Sequence, residues 1–352
     1  MSLRAEVRAF LAEGGFVPVV NAWMDGHDRA FTRRVGARGW IGMTWPTRYG
    51  GGGRSALERH IVTEELLAAG APVAAHWFAD RQVGPQLLRF GTEPQRERFL
   101  PAIARGECCF AIGMSEPDAG SDLAAVRTAA VPADRGCRVS GTKVWTSHAH
   151  ASDFMIALCR TAPRGESRHE GLSQLVVDLR GEGVEVRPIE GLDGRAHFCE
   201  VILDEAFVPD ELVVGEVGEG WAQVTAELAY ERSGPERFLS VLPLLTAAVD
   251  QAEDVDAERI GRAYAALVAL RRLSVDVVAQ LQAGVAPEVE AALVKDLGTR
   301  FEQDLVEELR SVAHDDAFRA QAAAAQLAAP GFTLRGGTTE ILRGIIGRAV
   351  TR

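Results

Sequence analysis

Cysteine is scarce in this chain. The five in its 352 residues, Cys108, Cys109, Cys137, Cys159 and Cys199, form an odd set with no Cys-x-x-Cys pair and no histidine at zinc-ligand spacing. A disulfide framework and a structural metal are therefore not expected; reduced thiols in a cytoplasmic protein are. Long apolar runs are missing too. Residues 1–13 place Leu3, Val7, Phe10 and Leu11 on one side with charges between, an amphipathic helix rather than a signal peptide, and no later run is long enough to span a bilayer. Positive charge is in deficit, with 38 Lys and Arg against 49 Asp and Glu and a net charge of −11 spread along the chain. Neither nucleic acid nor an anionic membrane is expected as a partner. No strand is followed by a Gly-x-Gly-x-x-Gly turn, which argues against a Rossmann cofactor site, and there is no internal repeat. The one biased stretch, Ala-rich residues 320–329, reads as a helix or compact connection.

What is present suffices for more than one core: 352 residues, of which 47% are hydrophobic. Up to about residue 107 the apolar period is helical, as in residues 55–69 and 94–105, interrupted by the Gly-rich turn Trp45-Pro46-Thr47-Arg48-Tyr49-Gly50-Gly51. From about 108 to 214 it changes to short β-branched runs punctuated by Gly, Asp and Pro. Residues 125–131, 138–144, 154–159, 175–179, 184–188 and 199–203 read as strands of an antiparallel sheet. After Gly218 long helices return. Residues 287–312 put Val294, Leu297, Phe301, Leu305 and Leu309 on one stripe and charges opposite. An order of helix, sheet, helix gives an α+β class, in which a cofactor would sit between domains.

Two segments carry the chemistry. Residues 111–122, Ala-Ile-Gly-Met-Ser-Glu-Pro-Asp-Ala-Gly-Ser-Asp, set small residues and hydroxyls at a strand end, where a planar heteroaromatic or a phosphate can approach the main chain. Residues 141–147, Gly-Thr-Lys-Val-Trp-Thr-Ser, end another strand with an indole beside hydroxyls, able to shield a ring face and bond an edge atom. Taken singly, each has an ordinary alternative, a turn and a core tryptophan.

Together and in order, the two segments resemble the signatures of the acyl-CoA dehydrogenase family, Ser-Glu-Pro-x-Ala-Gly-Ser-Asp and Lys-x-Trp-x-Thr/Ser. The resemblance extends through Phe90-Gly91-Thr92, Leu100-Pro101, Gly215-Glu216-Val217-Gly218, Glu231-Arg232 and Gly337-Thr338-Thr339-Glu340-Ile341. It implies an N-terminal helical domain over residues 1–110, a middle antiparallel β domain over 111–215 and a C-terminal helical bundle over 216–352. FAD would lie between the β domain and the bundle. Met114 and Ser115 would contact the isoalloxazine, Trp145 flank it, and Ser147 bond near N5, with Thr338 and Glu340 approaching from the bundle. Ser121 would follow the CoA path and Arg232 lie near the acyl group.

The reaction the resemblance implies, α,β-dehydrogenation of an acyl-CoA or related thioester with an external electron-transfer acceptor, needs a carboxylate for the α-proton and donors to polarise the carbonyl. Most of the family carry that base just before the Gly-Thr of the last motif, where this chain has Gly336; a minority carry it on an earlier helix, at the position of Glu231. Glu231 is thus the expected base, with Gly336 offering a backbone N–H to the carbonyl. The alternative is an ordinary helix carboxylate paired with Arg232 or Arg237. His148 and His150 are rival bases, more ordinarily loop residues. The chain lacks the family's Arg-x-x-Phe-Gly segment and shortens another to residues 326–332, segments that would reach the ADP half of FAD across a subunit interface. That leaves open a homo-oligomer, a hetero-oligomer with a related subunit, a partner subunit with an incomplete FAD site, and a family member acting on carrier-protein thioesters. Compensating arginines would be Arg271, Arg272, Arg343 or Arg348.

Overall fold

The computed structural model describes residues 2–231, 234–251, 257–285, 287–311 and 315–351. They gather into two compact units, one of residues 1–31, 54–74 and 229–352, the other of residues 32–53 and 75–228. Thirteen α-helices are seen among the described residues: α1 Leu3–Ala12, α2 Ala22–Asp25, α3 Arg29–Ala37, α4 Ala56–Ala68, α5 Ala74–Phe78, α6 Gly84–Phe90, α7 Glu93–Ala104, α8 Gly220–Glu231, α9 Leu242–Gln251, α10 Ala257–Gln282, α11 Glu288–Leu309, α12 Asp316–Ala328 and α13 Thr339–Val350.

The second unit is built on one sheet of eight strands: β1 Phe110–Gly113, β2 Ala129–Ala133, β3 Gly136–Ser147, β4 Phe154–Arg160, β5 Leu172–Asp178, β6 Val184–Ile189, β7 Phe198–Pro209 and β8 Val213–Val214. Their order is β6-β7-β3-β2-β4-β5-β8, with β1 beside β4. The sheet is mixed rather than wholly antiparallel, because β1 and β2 both run parallel to β4. The β2–β3 hairpin intervenes between β1 and β4 and returns the chain in β1's direction. Met155 to Cys159 of β4 are fully buried, the continuous apolar run of a strand covered on both faces. At the edge, β6 alternates exposed Glu185 and Arg187 and carries Pro188, which discourages further pairing.

One strand begins later than its sequence suggests. Residues 123–125 form a 3-10 turn and β2 starts only at Ala129. The Glu116 carboxylate takes the backbone N–H groups of Arg127 and Thr128, at 2.7 and 2.9 Å, and so withholds them from the ladder.

The first unit is helical. α4 opens on a capping box in which Ser55 and Glu58 satisfy each other's backbone groups. The adjacent carboxylates Glu64 and Glu65 are buried, and Arg4 of α1 reaches both, joined by Arg8 on Glu65 and Arg271 of α10 on Glu64. In α11 the expected stripe is buried at Val294, Leu305 and Leu309, but the adjoining polar face is buried as well, at Lys295, Asp296 and Glu302. Periodicity marks only the first of these faces, since the second is polar and its burial depends on partners.

The Gly-rich turn packs within the second unit: Trp45 is buried, and Tyr49 donates its hydroxyl to Glu93 at 2.7 Å. A Cβ on Gly84, at the start of α6, would lie 2.7 Å from Cε2 of that indole. Gly84→Ala is therefore expected to destabilise this unit by about 1–3 kcal/mol through overpacking. Equilibrium urea unfolding checks this; an unchanged midpoint would mean that Trp45 moves aside freely.

Candidate active site

The two chemistry-bearing segments lie side by side in the sheet unit. Lys143, on β3, is fully buried and donates from Nζ to Glu116 Oε1 at 2.8 Å and to the carbonyls of Leu158 and Met114 at 2.6 and 3.2 Å. Val144 N–H donates to the Ser115 carbonyl at 2.9 Å, and Glu116 and Ala119 exchange backbone hydrogen bonds that close the loop. Burial alone would raise the Glu116 pKa, but the Lys143 charge and the converging donors outweigh it and hold the carboxyl below its ordinary range. Met114 packs against the apolar cluster of Leu158, Leu172 and Val224, and Ser115 is partly buried.

Just past Lys143 the register of β3 against β7 slips. Lys143 pairs with Val201 but Thr146 with Cys199, so β3 carries one extra residue, a β-bulge. Trp145 occupies it with φ +59°, a conformation that bulky residues adopt rarely, and its side chain is 58% exposed rather than core. Phe198 supports the indole edge-on, with ring centroids 5.8 Å apart. Ser147 is buried on the far side of the bulge. An exposed indole beside a buried hydroxyl and closely approached main chain is a donor and stacking set suited to a planar heteroaromatic ring.

Of the rival bases, His148 is buried with φ +53° and donates its N–H to the His197 carbonyl at 2.7 Å, while His150 Nδ1 lies 3.2 Å from Cys199 Sγ. Burial pushes the Cys199 thiol pKa up despite nearby hydrogen bonds. All five cysteines are buried and unbridged. Among the described residues no group of three or more His, Cys, Asp or Glu could hold a metal, and no helix is long and apolar enough to cross a membrane. Ser121 is exposed, next to Asp122, which pairs with Arg168.

The helical unit holds the other expected residues. Gly336 and Gly337 take φ +67° and +99° in the turn before α13. Thr338 caps that helix by accepting from Ile341 N at 3.4 Å. Glu340, exposed in the first turn, has its pKa held below the usual range by its own N–H and the Thr338 hydroxyl. Glu231 is the last residue of α8; its side chain, and Arg232 entirely, lie outside the described residues. Two candidate compensating arginines are engaged within the unit, Arg343 with buried Asp296 at 3.3 Å and Arg271 with Glu64. Arg272 pairs with Asp276 on its own helix at 3.1 Å, and Arg348 is exposed. An open groove of about 440 Å³ between α10 and α11, lined by Leu270, Leu273, Leu297 and Phe301, includes none of the expected site residues.

Sequence reasoning missed the Lys143–Glu116 pair, although both residues stand inside the two quoted signatures. The available signal was an ionisable residue in step with Cys137 and Val139, the apolar side of the strand's alternation.

Three family profiles match the chain in order: acyl-CoA dehydrogenase N-terminal domain over residues 1–107, middle domain over 111–206 and C-terminal domain over 251–351. Acyl-CoA dehydrogenase IpdE1 of Mycobacterium tuberculosis is 39% identical over 287 residues, 76% of this chain and 74% of that protein. Acyl-CoA dehydrogenase FadE34 of the same organism is 35% identical over 318 residues, 88% of this chain but 43% of that longer protein. Among solved structures, the Tcur3481-Tcur3483 steroid ACAD superposes with a TM-score of 0.89 at 29% identity, covering 99% of this chain and 96% of that one.

Removing one partner of a buried ion pair strands the other charge, at a cost of about 3–5 kcal/mol. Lys143→Met is expected to destabilise the sheet unit by that order at neutral pH. In the wild type, the contribution of Glu116 is present above its unfolded-state pKa and lost as pH falls through its lowered folded value. Lys143→Met should therefore show a shallower loss of stability on acidification; parallel pH–stability curves would contradict the pairing.

Proposed function

We propose a reaction for this chain on one premise: it belongs to the acyl-CoA dehydrogenase family, as the match to IpdE1 over 74% of that protein shows. The reaction is α,β-dehydrogenation of an acyl-CoA thioester with FAD as cofactor. The observation that carries the reading is the juxtaposition, through Lys143–Glu116 and Val144–Ser115, of the two signature segments, with the Trp145 indole left exposed beside them.

In this reading Met114 and Ser115 hold the isoalloxazine along one edge, Trp145 covers a face and Ser147 bonds an edge atom. Thr338 and Glu340 contribute from the helical unit. FAD, when bound, supplies the hydride acceptor. The protein's share is proton removal: Glu231 takes the α-proton as the thioester carbonyl is polarised, with Gly336 leaving the usual base position without a side chain. A carboxylate in an apolar acyl pocket has a raised proton affinity, which suits a base near neutral pH. Moving the base to α8 changes the space left for the acyl chain, and a bulky or branched acyl group fits that change. The steroid named for the Tcur3481-Tcur3483 relative belongs to that class. Ser121 lies on the CoA path, and electrons pass on to an external acceptor.

Two arginines that could have compensated for the absent ADP-side segments, Arg343 and Arg271, are engaged by Asp296 and Glu64. This favours a chain that retains FAD only in contact with another subunit, its own copy or a related one.

Glu231→Gln keeps the side-chain volume but cannot take the proton. Anaerobic flavin reduction by substrate should slow by about 10²–10⁴-fold while thioester binding is retained; an unchanged rate would remove Glu231 from the mechanism. For the subunit dependence, mass and flavin content measured together across a dilution series should fall in step. Stoichiometric FAD on a monomer would contradict it.

A further inference from the structure

Two consecutive glycines have no side chains with which to hold a conformation, so backbone bonds and flanking residues must share in fixing it. The Gly336–Gly337 turn is followed by Thr338, the cap of α13, and preceded by a segment fastened tightly to the helical unit. Lys295 of α11, almost fully buried, donates from Nζ to the Phe332 carbonyl and to Thr299 Oγ1, each at 2.7 Å. Gln303 Nε2 donates to the Ala329 carbonyl at 3.0 Å.

Arg335 is the last side chain before the glycines. Its Nη1 donates to Asn21 Oδ1 at 2.5 Å, and its guanidinium lies over the rings of Trp23 and Phe332, 4.6 Å from each centroid. Its Nε is enclosed without a partner. The receiving residues are themselves fixed. Asn21 is buried at φ +57° and its N–H donates to the Ser240 carbonyl at 2.6 Å; Trp23 Nε1 donates to Ser240 Oγ at 3.1 Å. Ser240 N–H in turn donates to buried Glu302 at 2.7 Å. A cation enclosed in this way is costly unless its contacts are definite. Simple packing would be served as well by an apolar side chain.

We infer that Arg335 is a positioning residue for the reaction: docked on Asn21, Trp23 and Phe332, it sets the Gly336–Gly337 turn that forms the thioester side of the site. This rests on the reading above, in which Gly336 stands at the usual base position. Arg335 touches no reacting atom and acts only through the turn.

The test uses the full flavin-loaded chain with Arg335→Met, which keeps length and apolar contact but loses the charge and the Asn21 bond. Asn21→Gly is the second variant; it suits positive φ and removes the acceptor from the other side. Two measurements are made. Amide hydrogen exchange of residues 334–338 reads the turn itself. Solvent exchange of the α-protons of 3,3-dimethylbutanoyl-CoA, which has no β-hydrogen to lose, reads proton abstraction by NMR, with affinity measured separately. Both variants should exchange the 334–338 amides at least tenfold faster, with α11 and α13 unchanged. Both should slow α-proton exchange at least tenfold while affinity stays within threefold, and Arg335→Lys should recover part of each loss. Wild-type protection and α-exchange in both variants would overturn the inference, as would deprotection spread evenly through α11 and α13. A wild-type chain that exchanges no α-proton would count against the dehydrogenase reading instead, and the amide data would then decide the role of Arg335 alone.

Discussion

An ammonium group enclosed on every side is tolerated only where each of its protons meets an acceptor, and Lys143 meets that condition with Glu116 and the carbonyls of Leu158 and Met114. Those four residues come from three strands or their ends, so satisfying one charge fixes the relative placement of β1, β3 and β4. Glu116 extends the constraint by taking the amides of Arg127 and Thr128, which sets where β2 begins. With the loop after β1 pinned, Val144 can bond Ser115, and the bulge that turns Trp145 outward has a rigid base. The loop is thereby tied to the sheet by hydrogen bonds, the fixed footing that the proposed flat-ring site needs.

Much of this architecture is legible in the sequence, for identifiable reasons. Long periodic helices such as α4, α7 and α11 declare themselves through apolar spacing, and the strands from β3 to β7 through β-branched runs between Gly and Pro. β1 and β8, of four and two residues, are too short to show a period. The parallel pairing of β1 with β4 is invisible because it depends on the path of the chain between them. The exposed Trp145 is equally hidden: alternation would bury it or expose it according to register, and the register shifts between Lys143 and Thr146, across that position.

The helical unit shows where local pattern gives out. A charged face on α11 looks solvated in sequence, yet Lys295, Asp296 and Glu302 are buried because residues separated from them by long stretches of chain supply their partners. Burial pushes the Glu302 carboxyl up to about 7 against the opposing pull of Arg335, a consequence of three-dimensional neighbours that no spacing rule encodes. The shortened stretch at residues 326–332 is likewise not slack: it runs from α12 into a 3-10 turn held by α11.

The bulge on β3 makes the site asymmetric toward genetic change. Side chains along a strand alternate between faces, so their direction depends on how many residues precede them as well as on which residues they are. Because the bulge puts Lys143 and Thr146 on one face opposite Val201 and Cys199, dropping residue 144 or 145 would let β3 pair with β7 there without a slip and leave Thr146 and Ser147 on Cys199 and Phe198. What such a deletion removes is the bulge position itself, and with it the positive-φ conformation in which the Trp145 indole is presented. The extra residue thus serves the presentation of one ring rather than the register of the strand, and its loss should cost the site while sparing the sheet.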